Sequence, residues 1–77
     1  MTTQELRNHP EYELCFKKIR AYKPGFEFTL NYAAIPTPRA NALKIVMHDA
    51  IEQGLIESIA TGWSLEGKIT DETFRKL

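Results

Sequence analysis

Thr37-Pro-Arg-Ala-Asn-Ala-Leu-Lys-Ile-Val-Met-His-Asp-Ala-Ile-Glu-Gln-Gly-Leu-Ile-Glu57 reads as one amphipathic helix, stopped and followed at once by strand. Thr37 offers an N-cap oxygen, and Pro38 suits the first helical position, where a missing N–H costs nothing. Ala40, Leu43, Met47, Ala50 and Ile51, with Val46 beside them, recur at three- and four-residue steps. That spacing predicts a helix over 38–53 with these residues buried. Gly54 ends it, since glycine tolerates the left-handed backbone that terminates helices. Beyond it, residues 55–60 and 63–65 read as two short strands joined around Thr61-Gly62. Ile69-Thr70-Asp71-Glu72-Thr73-Phe74 reads as a last helical turn, with Thr70 as cap and Ile69 folding back onto Phe74.

Upstream, Pro36 and Pro38 push Ile35 and Thr37 away from helical angles, which makes 36–38 a stiff turn. Before it, Phe26, Phe28, Leu30 and Tyr32 alternate with Glu27, Thr29 and Asn31, a strand pattern. The competing reading is a strand over 26–28 and a brief helix over 30–35 capped by Thr29. Ala33-Ala34 tilts the choice toward strand then helix. Earlier still, Pro10 opens a helix whose apolar stripe is Tyr12, Cys15, Phe16, Ile19 and Tyr22. Acids stand near its start and bases near its end, as the helix dipole favours, and Pro24-Gly25 stops it. Residues 1–9 read as a loosely ordered segment, in which 3–8 can form a short helical turn capped by Thr2 or Thr3.

Seventy-seven residues, 43% hydrophobic and 26% charged, describe a single α+β domain over 1–77 and exclude a disordered tail. One cysteine excludes an internal disulfide, and no Cys/His set has zinc spacing. The first ten residues contain no apolar signal core, and no run reaches the roughly 20 residues of a membrane span. A cytoplasmic setting, with no membrane contact, is expected. Ten basic residues balance ten acidic ones, whereas dedicated DNA-binding domains often have a pI above about 9. Only the first 25 residues lean positive, with five bases against three acids.

The order helix, short strand, short helix, turn, long helix, hairpin resembles the winged helix-turn-helix domains. The residues that carry the resemblance are Phe28-Thr29-Leu30, the helix over 38–53, Gly54-Leu55-Ile56-Glu57 and the return Trp63-Ser-Leu-Glu-Gly-Lys-Ile-Thr70. They span about residues 10–77, at the level of fold and not of a narrower family. The resemblance implies a small sheet, two main helices plus a short one, and a long helix that reads nucleic acid. Three features depart from it: a second helix of only about six residues, a Pro-Thr-Pro turn, and a wing at Thr61-Gly62 without a basic tip.

If the long helix enters a major groove, its exposed face carries Thr37, Asn41, Lys44 and His48, with Arg39 at the first turn. Arg pairs with guanine, Asn with adenine, and Thr and Lys bind phosphate. Polar residues opposite an apolar stripe are also what any solvated helix shows. Asp49 and Glu52 would repel phosphates if they share that face. Lys17, Lys18, Arg20 and Lys23 can support backbone contacts, or simply complement the helix dipole. Trp63, Tyr22 and Tyr32 can stack on bases, but also suit a core or its rim.

Catalysis finds little footing. Cys15 lies on an apolar stripe, His48 and Asp49 are neighbours that face different ways on a helix, and His9 sits at a helix start. No glycine loop suits a phosphate, and no cofactor or metal is expected. Two functions follow. One is a regulatory module that binds DNA, acting as a homodimer because a single module buries too little to be specific. The other is a protein-interaction domain with an exposed patch around Trp63, Ile59 and Tyr32.

Overall fold

The computed structural model describes residues 3–77. Three α-helices and a 3₁₀ turn pack with a three-stranded antiparallel sheet, giving the α+β architecture expected. α1 (Thr3–Arg7) is a single turn, and its proposed cap Thr2 lies outside the described residues. Leu6 is buried, which seats α1 on the core. α2 (Pro10–Ala21) begins where His9 Nδ1 accepts from the Glu11 N–H at 3.1 Å, with Pro10 in the first turn. Cap chemistry thus accounts for His9. Phe16 and Ile19 are buried on the predicted stripe, and Gly25, at φ +90°, turns the chain into the sheet.

β1 (Glu27–Asn31) runs through Thr29, whose hydroxyl meets that of Thr73 at 2.9 Å, so Thr29 caps no helix. A single 3₁₀ turn, Tyr32–Ala34, follows where a helix over 30–35 was favoured. The alternation of Phe28 and Leu30 holds the strand two residues longer. Pro36 then fixes Ile35 in extended backbone, leaving room for one turn only.

α3 (Thr37–Glu52) starts one residue earlier than expected, with Pro36 at the cap position and no side-chain cap bond; Thr37 stands inside the first turn. Ala40, Leu43, Val46, Met47 and Ala50 are buried as predicted, but Ile51 is exposed and Ala42 and Asp49 are buried instead. α3 is packed by α2, α1 and β2 together, so the buried stripe is wider than a single-face reading allows. At its end the Leu55 N–H donates to the Ala50 carbonyl and the Gly54 N–H to that of Ile51, with Gly54 at φ +73°. This is the Schellman closure that a helix-ending glycine implies.

β2 (Ile56–Trp63) is one strand through Thr61 and Gly62, not two. Gly62 is extended and lies opposite Asp71, and a methyl group there would collide with the Asp71 carboxylate. The hairpin turns at residues 64–68 instead. The Ser64 N–H donates to the Lys68 carbonyl, and Gly67, at φ +81°, makes the reversal. β3 (Ile69–Lys76) is a strand where a helical turn was expected, and the Thr70 hydroxyl donates to Asp71 Oδ1 rather than capping anything. β3 is the middle of the order β1-β3-β2, so its backbone is paired on both sides, which outweighs a local capping pattern. Phe74, wholly buried, joins Phe16, Ile19, Val46, Met47, Ala50 and Ile56 in the main core. Ile69, at the far end of the strand, packs instead against the second cluster of Tyr32, Ala40 and Leu43.

Candidate functional site

On α3 the residues Thr37, Asn41, Lys44 and His48 are all exposed, at steps of four, three and four, and so form one face. The first three line a groove of about 460 Å³ whose opposite wall is the hairpin, including Ser64, Lys68 and Thr70. The Lys44 ammonium stands 5.1 Å from the centre of the Tyr32 ring, a cation–π contact that keeps it over the groove. Tyr32 itself is buried, its hydroxyl donating to Glu72 at 3.2 Å. Burial, with Glu72 adding to it, pushes the Tyr32 phenol well above its ordinary range, so it stays protonated as a donor.

Lys68 lies at the hairpin tip with its ammonium 3.8 Å from Glu66, both side chains largely exposed. A pair so open to water holds little energy, and Lys68 remains available to an anion. The expected bare tip at Thr61-Gly62 is therefore replaced by a tip with one basic residue. The sequence did contain the signal: Ser64-x-x-Gly67 is a turn with serine at its first position and glycine at its fourth.

The other candidates go elsewhere. Arg39 faces α2, where its guanidinium is 3.5 Å from Glu11 Oε1. His48 Nδ1 lies 3.3 Å from Asp49 Oδ1 and its Nε2 lies 3.8 Å from Glu52, so the two sequence neighbours do meet. Asp49 touches the free face only at His48 and is otherwise turned toward α1 and α2. Its carboxylate accepts two bonds from Arg7, each 2.9 Å, and one from the Tyr12 hydroxyl at 2.7 Å. Those donors, Arg7 foremost, hold the Asp49 carboxyl far below the usual carboxylate range.

Lys17, Lys18, Arg20 and Lys23 are exposed, but none lines the α3–hairpin groove. Arg20 stacks over the Phe16 ring at 4.7 Å, and Lys18 lines a second groove between α2 and α3. Tyr22 packs on Phe26 and Phe28 at the sheet end. Cys15 also lines the second groove, and burial pushes its thiol up. Among the described residues no three His, Cys, Asp or Glu side chains gather to hold a metal ion. Nor is any described helix long and apolar enough to cross a membrane.

The exposed apolar residues do not include all three of the expected patch. Tyr32 is buried, whereas Ile59, Trp63 and Leu65 are exposed along β2 and the turn, Leu65 completely. No family model, curated protein or solved structure matches this chain.

Proposed function

We propose that this domain is a non-enzymatic, winged-helix-like regulatory module that binds nucleic acid between α3 and the β2–β3 hairpin. The observation that carries the reading is the shared groove: Thr37, Asn41 and Lys44 on one wall, Ser64, Lys68 and Thr70 on the other. In this reading Lys44 and Lys68 neutralise phosphates, Thr37 adds a phosphate hydrogen bond, and Asn41 presents its amide to a base edge. His48 lies one turn farther along the face. Arg39, turned toward Glu11, takes no part. Arg7 and Tyr12 tie up Asp49, which supports the reading, and Glu66, the carboxylate that does line the groove, is paired with Lys68 at 3.8 Å. The order strand, long helix, hairpin supports the reading, whereas a single 3₁₀ turn stands where the resemblance implies a second helix. A homodimer in the cytoplasm would double a contact too small for specificity on its own.

The test is fluorescence anisotropy of labelled duplex DNA at about 50 and 200 mM salt, the range over which phosphate contacts lose most of their affinity. Binding that falls steeply with salt is expected. Lys44→Ala with Lys68→Ala should weaken it and flatten the salt dependence, while Arg39→Ala leaves both unchanged. Absence of binding at low salt would dispose of the reading.

The second reading is a protein-interaction domain, and exposed Ile59, Trp63 and Leu65 favour it. There, Trp63→Ala and Leu65→Ser should abolish partner capture while the double lysine variant retains it.

A further inference from the structure

The second groove follows from the shortness of the segment between β1 and α3. Only a 3₁₀ turn stands there, and the cleft between α2 and the start of α3 is left open. Its volume is about 440 Å³, within the range of small-molecule sites. Leu14, Tyr22, Phe28, Leu30, Ile35 and Met47 give it an apolar lining. Leu14 is 63% exposed, an unusual position for a leucine on the wall of a cleft. The polar groups that line the cleft are few: Glu11, Lys18 and Arg39, with the Cys15 thiol within electrostatic reach of all three. Arg39 is held by Glu11 only at 3.5 Å and is half exposed, which an incoming anion can displace or share. Two cations against one carboxylate leave the lining net positive.

We propose that this cleft is a binding site for a small amphiphile with an apolar body and an anionic head, of the class of medium-chain carboxylates. The hydrocarbon lies against the wall formed by Leu14, Leu30 and Met47. The carboxylate meets Lys18 and Arg39. A cationic or neutral head of the same chain length lacks that pairing. The site adjoins the α3–hairpin groove, sharing Ile35 with it, but its charged residues are its own and it does not depend on nucleic-acid binding.

Cys15 lines the cleft and is the single cysteine of the chain, so its alkylation reports occupancy without a label. The experiment follows N-ethylmaleimide modification of Cys15 in the intact domain, titrated with decanoate below its micellar range. Decanoate is expected to slow the reaction at least fivefold and saturably, and decyltrimethylammonium to slow it less than twofold. Lys18→Glu with Arg39→Glu, both at exposed positions, should raise the half-protecting decanoate concentration at least tenfold with an unchanged circular dichroism spectrum. Equal protection by the two amphiphiles, no protection by decanoate, or an unshifted titration in the double variant would each overturn the proposal. DNA anisotropy measured on the same double variant separates this site from the α3–hairpin groove.

Discussion

Asp49 shows how much one residue can hide from its own sequence. It is a buried carboxylate on α3, fixed by Arg7 and Tyr12. Both partners lie dozens of positions away, so no local pattern points to it. Replacing it as Asp49→Asn removes the charge but leaves Arg7 and Tyr12 beside an amide. Loss of about 1–3 kcal/mol is expected, read as a lower urea midpoint at pH 7. Its folded pKa lies below the unfolded value of about 4, so the ionised form stabilises the fold fully at neutral pH. That stabilisation shrinks as pH falls below about 4 toward the folded pKa. The gap between the parent and Asp49→Asn should therefore narrow between pH 4 and pH 2; a constant gap would show that the carboxylate is not the source. Gly62 makes the opposite case, for its lack of a side chain is what matters. Gly62→Ala forces the Asp71 carboxylate aside and breaks its contact with Thr70. The melting temperature should fall, while Asp71→Ala in the same chain restores part of the loss by making room.

At the scale of elements, what was legible is what is local. α2 and α3 announce themselves through proline starts, glycine stops and three-four spacing, and Gly54 closes α3 by the bonding its sequence implies. Gly54→Ala places a β-carbon in left-handed backbone at φ +73° and should cost about 1 kcal/mol in chemical denaturation, although nothing crowds the position. A neutral result would mean that the helix ends differently. β3 is hidden because Thr70, Asp71 and Glu72 imitate a helix start, while the forces that make it a strand come from β1 and β2. The place of the hairpin is ambiguous in sequence because two glycines, Gly62 and Gly67, compete for the turn. The sequence alone does not reveal that one is kept small by a carboxylate on the neighbouring strand. The free face of α3 was legible, and its second wall was not, since Ser64 and Lys68 reach it only after the turn moves to residues 64–68.

In the molecule as a whole, charge is spent mostly on internal ties, and this bears on function more than the net value of zero. Arg7 holds Asp49, Arg75 bridges Glu27 and Glu57 across the outer face of the sheet, and buried Lys76 donates to the carbonyls of Arg20 and Tyr22 at the end of α2. Among the described residues, Lys44 and Lys68 in the α3–hairpin groove meet a ring and one open ion pair respectively. Spread in this way, the cations leave the domain without a basic surface. The strand order carries a further consequence, one of timing. β1 and β2 never touch along their edges, and each finds its partner only in residues 69–76. Thus the helices can meet early, but the sheet cannot begin before those residues arrive, and every pairing made by β1, from Asn31 with Asp71 to Glu27 with Arg75, closes a long loop. In a refolding experiment read by pulsed amide exchange, protection in β1 should never precede protection in β3. A ribosome that pauses before residue 69 would hold a helical half with two unmated strands, the state most open to pairing with a neighbour.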